Sequence, residues 1–269
     1  MHRLAGLRRA PQQGAFFVLW VLMFALPLLA EAGGQCLSLR ADEWVRVSYV
    51  YDGDTVKLDD GRKVRLIGIN APEIGQGGAP AEPLAEPARQ ALQQLLLGQE
   101  RVALRFEVGR EDRYGRLLAH FYLADGSTLQ EHLLERGLVA AVAIAPNVAN
   151  LDCYLAAELR AEGRGIWQQP RFSAIETDQL SRSARGFYTI QGRVERIGES
   201  RQALWLNFTN NGANKIAVRI DKRDLPYFDP RFDAKTLRGK KIRVRGWLSE
   251  WRSELQMRVY HPAMLQPLD

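Results

Sequence analysis

The sequence contains few of the residues from which several common active sites are built. Of its 269 residues, 2 are cysteine and 4 are histidine, and two cysteines without accompanying histidines do not make a zinc site. No Ser-His-Asp arrangement, phosphate-binding loop or dinucleotide-binding glycine motif occurs in the chain. The composition, with 46% hydrophobic and 25% charged residues, also excludes a disordered, collagen-like or multi-span membrane protein.

Long apolar runs are equally scarce, and the one that occurs lies near the N-terminus. Residues 15–30 form an apolar stretch of 16 residues that follows three arginines and is interrupted by Pro27. A spanning helix needs about 20 residues, and the small-x-small triplet at 30–32 has the form of a signal peptidase site. We predict cleavage after Ala32, no transmembrane span in the mature chain, and a periplasmic or secreted protein. An uncleaved anchor is the alternative.

The two cysteines, Cys36 and Cys153, both lie in the part of the chain that is predicted to be exported. In an oxidising compartment an even pair of cysteines favours a disulfide over two thiols. A bridge between them would tie the N-terminus of the mature chain to the predicted helix that carries Cys153. Two unrelated buried thiols are the alternative.

The length of the chain suggests one large or two small domains, and charge is divided unevenly along it. Residues 44–169 hold 14 basic and 17 acidic side chains, whereas residues 186–269 hold 16 and 9. The stretch between them is polar, contains Pro170 and lacks sustained hydrophobic periodicity, as linkers do. Attraction of a polyanion is therefore expected first in the C-terminal part. The predicted boundaries are 1–32 for the signal peptide, 33–44 for an N-terminal segment, 45–169 for the first domain, 170–185 for the linker and 186–269 for the second domain.

Both domains show the pattern of small β-barrels, so the predicted fold class is mainly β with α. Short alternating runs over 45–69, separated by Asp-Gly turns, predict an antiparallel meander. In the second domain a short helical segment near 224–228 separates the third and fourth of five β-type runs. That order is typical of an OB-fold. The helices predicted for the first domain are 86–97, 129–136 and 150–162, and the five runs of the second are 187–197, 203–209, 215–220, 240–248 and 255–260.

Three short motifs combine carboxylates with arginines. Cleavage of a phosphodiester needs oxygen ligands for a divalent cation, a base for water, and guanidinium groups for the charged transition state. Taken singly, each motif has an ordinary structural explanation: a hairpin turn, an arginine paired with a neighbouring carboxylate, or a solvated turn. Their order and strand–loop context together favour the functional interpretation. The motifs are Asp52-Gly53-Asp54-Thr55, the stretch Arg65–Glu73 (RLIGINAPE) and Asp112-Arg113-Tyr114-Gly115-Arg116.

Through these motifs, the helix between them and the closing Gly-Ile-Trp at 165–167, residues 45–167 resemble the staphylococcal nuclease (thermonuclease) family. The resemblance implies a five-stranded OB barrel with three helices. It also implies calcium-dependent hydrolysis of DNA and RNA that leaves 3′-phosphorylated products. The predicted function is therefore an exported nuclease with Ca²⁺ as cofactor and DNA or RNA as partner; no protein partner is predicted.

The resemblance implies a calcium site formed by the first two motifs. Asp54 matches the calcium-ligand aspartate, and the backbone carbonyl of Ala71 is available as a further ligand. Asn70 stands where the family has a second aspartate. Its amide oxygen can coordinate calcium, but one negative charge is lost, so weaker metal binding is expected. Asp52 is expected to support the metal ligands from behind.

The resemblance also implies catalytic and substrate-binding groups. Glu73 matches the glutamate that activates or orients the attacking water. Arg65 and Arg116 match the two arginines that hold the scissile phosphate, for which the planar guanidinium offers two parallel donors. Arg113 and Tyr114 lie where the family places a cation and a tyrosine against the terminal phosphate of the nucleotide.

The sequence departs from the family again after Gly137. Residues 138–145 lack the aromatic side chains on which the family stacks its base. Because stacking contributes about 1–3 kcal/mol per base, we expect a poorer small-nucleotide site and more reliance on contacts with the nucleic-acid backbone.

The second domain carries a candidate nucleic-acid face. Strand alternation places basic and aromatic side chains on one face and apolar side chains on the other. Such a face suits a single strand, with charges for the backbone and rings for the bases. The alternative is a solvated outer face whose tryptophans pack on the linker or on the first domain. The predicted members are Trp205, Lys215, Arg219, Lys241, Arg243, Arg245 and Trp247.

Two other functions compete with that of a nuclease. A non-catalytic nucleic-acid-binding module could keep the fold and lose turnover, which the amide at Asn70 would permit. Against it stands the joint retention of the other metal and catalytic residues of the family pattern. An envelope structural protein would account for the basic second domain, but it explains none of the motifs of the first.

Overall fold

A computed structural model of the chain describes residues 36, 40–75, 77–78, 80–208 and 215–269. The predicted signal peptide and half of the predicted N-terminal segment lie outside these residues. Within the described part, no helix is long and apolar enough to cross a membrane. The chain folds there into two β-barrels, one after the other.

The first barrel contains the strands β1 (Glu43–Val45), β2 (Val47–Val50), β3 (Thr55–Leu58), β4 (Lys63–Leu66), β5 (Ile69–Asn70), β6 (Val102–Arg105), β7 (Leu117–Tyr122) and β8 (Ala140–Ala141), and the helices α1 (Ala85–Leu96), α2 (Leu129–Glu135) and α3 (Leu151–Leu159). Arg46 alone separates β1 from β2, and the two form one bent strand: β1 pairs with β6, and β2 pairs with β3. The sheet order β1-β6-β7-β4-β3-β2 therefore closes into a five-stranded barrel. The predicted OB barrel with three helices, and the mainly β fold class, are confirmed.

Alternation along the strands fills the barrel with apolar side chains. Val56 and Leu58 of β3 are buried, whereas Lys57 between them is exposed. The core extends onto the three helices and reaches the predicted disulfide, which is present between Cys36 and Cys153. The bridge joins the segment before β1 to α3 across 117 positions of sequence.

The second barrel contains β9 (Ile175–Glu176), β10 (Gly186–Glu199), β11 (Ala203–Phe208), β12 (Ile216–Asp221), β13 (Lys241–Trp251), β14 (Glu254–Val259) and β15 (Leu265–Pro267). It closes because β10 pairs with both β11 and β13, while β12 runs parallel to β14. The predicted OB-like order of five strands is confirmed. Between β12 and β13, where a helical segment was expected, the chain forms two short 3-10 helices at Lys222–Tyr227 and Ala234–Leu237.

The segment predicted as a linker, 170–185, is packed against both barrels. Phe172 and Leu180 are buried, and β9 within the segment pairs with β10. Arg171 forms an ion pair of 2.6 Å with Glu82 of the first barrel. The second barrel is therefore held against the first by side-chain contacts along this segment.

Candidate active site

Asp54 lies at the centre of the site, at the turn between β2 and β3. The Oδ1 atom of Asp52 accepts a hydrogen bond from the backbone N–H of Asp54 at 2.9 Å, which shapes the turn. Gly53 lets this turn pack closely: an added Cβ there would lie 2.7 Å from Cβ of Ala88 on α1 and 2.8 Å from Cβ of Ala71. Since real Cβ atoms do not approach so closely, the glycine of this Asp-Gly turn is a packing requirement as well as a hairpin signal.

The carboxylate of Asp54 connects the first two motifs. Its Oδ2 accepts a hydrogen bond of 2.6 Å from the backbone N–H of Ala71 and lies 2.8 Å from Nη2 of Arg65. Its Oδ1 accepts a hydrogen bond of 3.0 Å from the hydroxyl of Thr55. Asp54 is only 5% exposed, and burial raises its pKa to about 7, with Arg65 acting in the opposite direction and Asp52 in the same one. A buried carboxylate of this kind gains from a further positive charge beside it.

The residues expected to bind a metal ion are brought together at this point. Asn70 is buried in β5, which pairs with β8. Asn70 and Arg65 both line a cleft that is described below. Asp54 is tied to the backbone of Ala71 by the hydrogen bond described above. A carboxylate and an amide offer the hard oxygen donors that calcium takes. The side chains present therefore fit such an ion in their chemistry.

A layer behind the site, which the sequence analysis did not identify, supports the second motif. Gly68, at the turn from β4 to β5, has φ +81°, and an added Cβ would lie 2.5 Å from the ring of Tyr154. The Tyr154 hydroxyl is 2.7 Å from Nδ1 of the buried His120, whose Nε2 is 2.6 Å from Oε1 of Glu107. The turn that carries Asn70 thus rests on a buried hydrogen-bonded network. No local pattern links these residues, because they are far apart in sequence.

The third motif forms a tight turn that holds Arg116. Oδ1 of Asp112 accepts hydrogen bonds from the backbone N–H groups of Tyr114 and Arg116, at 2.8 and 3.0 Å. Its Oδ2 lies 2.7 Å from Nε of Arg116. Although burial raises the pKa of Asp112, these hydrogen bonds outweigh it and lower the pKa. Nη1 of Arg116 donates to the hydroxyl of Thr55 at 3.4 Å, so both arginines expected to hold the phosphate reach the Asp54–Thr55 pair.

Arg113 and Tyr114 occupy the outer part of the same turn. Nη2 of Arg113 donates a 2.6 Å hydrogen bond to the Tyr114 hydroxyl. The guanidinium groups of Arg113 and Arg116 lie 4.8 and 5.5 Å from the centre of the Tyr114 ring. The ring is exposed on the cleft side, where a substrate group could contact it.

Glu73 lies on the loop after β5. Its backbone N–H donates to Oε2 of Glu82 at 3.0 Å, and its carbonyl accepts from the backbone N–H of Glu82 at 2.9 Å. Partial burial of the carboxyl group and then the charge of Asp52 raise the pKa of Glu73, while Arg65 acts in the opposite direction. A raised pKa makes this carboxylate a better proton acceptor near neutral pH.

These side chains open into a cleft of about 850 Å³ that both barrels line. The first barrel contributes six of the predicted site residues, and Asp54 lies buried behind them. The second barrel contributes residues of β12, β13 and β14 and of the segments that follow β12 and β14. The predicted site residues of the first barrel that line the cleft are Arg65, Asn70, Glu73, Arg113, Tyr114 and Arg116. The lining residues of the second barrel are Arg219, Arg223, Trp247, Ser249, Gln256, Arg258 and Tyr260.

The predicted nucleic-acid face of the second domain does not form one surface. Its β13 members turn toward other parts of the chain: Lys241 pairs with Glu176 at 2.5 Å, and Arg245 pairs with Glu158 of α3 at 2.5 Å. Trp247 packs edge-on against Phe187, with ring centres 5.1 Å apart. The alternation on β13 is real, but α3, β8 and the 170–185 segment cover much of the face that it defines.

The remaining members of that predicted face are dispersed. The side chain of Arg243 is exposed and donates to Gln191 at 3.3 Å. Lys215 is exposed beside Glu254 at 3.4 Å. Arg219 lies over the ring of Trp205, 5.5 Å from its centre, and reaches the cleft. Of the seven predicted residues, Arg219 and Trp247 line the cleft, whereas Arg223, Arg258 and Tyr260 line it without having been identified from the sequence.

Comparison with known proteins agrees with this geometry. The sequence profile of the family described as "Staphylococcal nuclease homologue" matches residues 63–169. A protein of Escherichia coli O157:H7 named "Uncharacterized endonuclease" is 32% identical over 132 residues, which cover 48% of this chain and 80% of that protein. The chain belongs to the staphylococcal nuclease family. The predicted resemblance and the predicted enzyme class of that family, a phosphodiester hydrolase, are confirmed.

Other relatives show the same extent of similarity. The thermonuclease of Staphylococcus hyicus is 28% identical over 155 residues, covering 55% of this chain and 90% of that protein. Endonuclease YncB of Bacillus subtilis is 33% identical over 132 residues, covering 46% of this chain and 62% of that protein. The similarities thus span about half of the present chain, and the family profile ends before the second barrel.

Proposed function

We propose that this chain is an exported, calcium-dependent nuclease that hydrolyses phosphodiester bonds of DNA or RNA in the cleft between its two barrels. The observation that carries the proposal is the convergence of three separate motifs on the Asp54–Thr55 pair. Two guanidinium groups and the carboxylate of Glu73 line the same cleft beside it. The names of the relatives, thermonuclease and endonuclease, support the same reaction.

Arg65 and Arg116 would bind the scissile phosphate and stabilise the charge that develops on it. Each guanidinium is already held in place, Arg65 by Asp54 and the carbonyl of Leu66, and Arg116 by Asp112. Groups that are fixed before the reaction need little reorganisation as charge develops, which is how such sites accelerate reactions. The planar fork of arginine also matches two phosphate oxygens at once.

Glu73 would accept a proton from the attacking water or orient it. Its position on the cleft wall with both arginines gives it access to a phosphate held there. Asp54 and Asn70, with the backbone of Ala71, would hold calcium; when bound, the ion supplies positive charge that polarises the phosphate. One carboxylate fewer than in the family pattern implies weak binding, suited to the millimolar calcium outside cells.

Export rests on the predicted signal peptide and is supported by the disulfide, since such bonds persist in oxidising compartments. We therefore place the protein in the periplasm or outside the cell. A purified chain in which both cysteines are present should show a bridge between them, and cell fractionation should find the protein outside the cytoplasm with an N-terminus at Gly33. Retention of residues 1–32 in the isolated protein would instead indicate an anchor.

The activity is tested with purified protein beginning at Gly33, using single- and double-stranded DNA and RNA in calcium or in chelator. We expect cleavage in calcium that is lost in Glu73→Gln and in Arg116→Ala. Matched controls are Glu111→Gln and Arg110→Ala. Both side chains are exposed on the β6–β7 connection, which also carries Arg116, but neither lines the cleft. These controls should keep the activity.

Other outcomes would contradict the proposal. Cleavage that survives in both Glu73→Gln and Arg116→Ala would place the activity elsewhere or in a contaminant. Absence of cleavage together with salt-sensitive nucleic-acid binding would favour the non-catalytic module, which the amide of Asn70 makes a specific second candidate.

A further inference from the structure

We propose that the second barrel forms the second wall of the substrate groove and binds the phosphate backbone of a single strand through Arg219 and Arg223. This inference rests on the proposed nuclease function. The cleft that contains Arg65 and Arg116 is closed on its other side by side chains of the second barrel. All of these lie beyond residues 63–169, the part that matches the family profile.

The second wall carries an excess of positive charge. Three arginines of the second barrel line the cleft, and the neighbouring carboxylates are Asp221 and Asp224. Arg258 is held between these two carboxylates, with its Nη2 at 2.8 Å from each. Three guanidinium groups beside two carboxylates leave one net positive charge, so the cluster as a whole attracts an anion.

The three arginines differ in how firmly the protein holds them. Arg258 also lies 4.2 Å from the centre of the Tyr260 ring, which makes it part of the framework of the wall. Arg219 is bound by Asp221 at 2.6 Å and lies over a tryptophan ring. Arg223 is 3.7 and 3.9 Å from its carboxylates, and its side chain is 73% exposed. Arg223 can therefore turn to a phosphate at little cost, whereas Arg219 is positioned in advance.

Apart from Tyr114 of the first barrel, the aromatic side chains that line the cleft belong to the second barrel. Val142 and Ile144, which belong to the aromatic-free segment 138–145, line the cleft on the side of the first barrel. Trp247 and Tyr260 line it on the side of the second. Rings give bases a stacking surface without regard to sequence. The second barrel thus supplies the aromatic groups that residues 138–145 lack.

A single strand fits this arrangement better than a duplex or a free nucleotide. OB barrels bind single strands in grooves that combine cations with rings. Arginines line both walls of one cleft, so a chain of several phosphates can offer a phosphate to each wall, whereas a mononucleotide offers only its own. Cleavage of long strands should therefore depend on the second barrel, and cleavage of a dinucleotide should not.

The test compares Arg223→Ala, the double variant Arg219→Ala/Arg223→Ala and the control Arg231→Ala. Arg231 lies on the same barrel, is 90% exposed and does not line the cleft. Steady-state cleavage is measured with a dinucleotide and with a single-stranded oligonucleotide of about 12 nucleotides, within the range that one OB barrel covers. Binding of the same oligonucleotide and of its duplex is followed by fluorescence anisotropy in chelator, where no turnover is expected.

We expect Arg223→Ala to raise KM for the oligonucleotide about three- to fivefold, which is the effect of losing one exposed ion pair, and to change dinucleotide cleavage by less. The slope of log affinity against log salt should fall by about 0.7 for each phosphate that the variant no longer neutralises. The double variant should show a larger effect of the same kind. Thermal melting checks that each variant is folded, and Arg223→Ala, being exposed, should melt as the parent does.

The proposal would be overturned if Arg223→Ala and the double variant behaved like Arg231→Ala with the oligonucleotide. An equal loss with the dinucleotide would also contradict it, because the arginines would then act through the first barrel. Equal weakening of duplex binding would refute the assignment to a single strand. If no substrate were cleaved at all, the nuclease function would fail, yet binding in chelator would still decide whether the second wall holds a strand.

Discussion

Replacing Arg245 should destabilise the protein and weaken its activity, because Arg245 forms a nearly buried ion pair between the two barrels. Nη1 of Arg245 on β13 lies 2.5 Å from Oε1 of Glu158 on α3, and the two side chains are 15% and 11% exposed. Nη2 of Arg245 also donates to the carbonyl of Ala141 at 2.9 Å, and Oε2 of Glu158 accepts from the N–H of Ala141 at 2.6 Å. The pair thus satisfies both backbone groups of Ala141 in β8, the strand that pairs with Asn70 and its neighbour.

The size of the effect follows from this burial. Removing one member of a buried ion pair costs about 3–5 kcal/mol, since the other charge is left without a partner. Because both side chains keep some exposure, we expect the lower end, about 3 kcal/mol. For a protein of this size that corresponds to a fall in Tm of about 6–12 °C. The calcium concentration for half-maximal cleavage should rise as well, because β8 no longer holds the strand of Asn70 as firmly.

The assay is a double-mutant cycle with Arg245→Met, Glu158→Gln and both together, measured by denaturant unfolding and by calcium titration of cleavage. Glutamine can still accept the hydrogen bond from Ala141, so the double variant should be more stable than the sum of the single losses implies. Arg185→Met is the control, since Arg185 pairs with Glu250 while both remain about half exposed. It should cost no more than about 1 kcal/mol. Strict additivity in the cycle, or a loss in Arg245→Met no greater than in the control, would refute the reasoning.

Two further predictions concern the second motif. Asn70→Asp should lower the calcium concentration for half-maximal cleavage, because a second carboxylate restores negative charge beside Asp54; an unchanged calcium titration would show that residue 70 is not a ligand. Gly68→Ala should destabilise the protein by more than about 2 kcal/mol, since positive φ alone costs about 1–3 kcal/mol and the added methyl would also meet the Tyr154 ring at 2.5 Å. Gly61→Ala separates the two effects, because Gly61 has φ +91° with no atom within 4 Å of an added Cβ. Equal losses in both variants, measured by thermal melting, would show that the clash with the ring contributes nothing.

The sequence alone determined the features that depend on neighbouring residues. Alternation around Lys57 predicted a strand with one buried face, and the Asp-Gly turns predicted the hairpins, because both signals arise from backbone geometry within a few positions. The three motifs were found for the same reason. Each is a strand end or a turn, and two of them are shaped by local hydrogen bonds: Asp52 accepts from the N–H of Asp54, and Asp112 accepts from the N–H of Arg116. The disulfide was predicted because the chain has an even number of cysteines and both lie in the part that is predicted to be exported to an oxidising compartment.

The tertiary structure decided which surfaces meet. Alternation on β13 correctly placed Arg245 and Trp247 on one face, yet only the packing of the barrels shows that Arg245 meets α3 and β8, whereas Trp247 lines the cleft. For the same reason Arg223, Arg258 and Tyr260 were not identified: nothing within their own segment distinguishes a side chain that faces solvent from one that faces the other barrel. A periodic pattern reports which side chains share a face. What covers that face depends on contacts between residues about a hundred positions apart, such as Arg245 and Ala141, and these form only when the whole chain is folded.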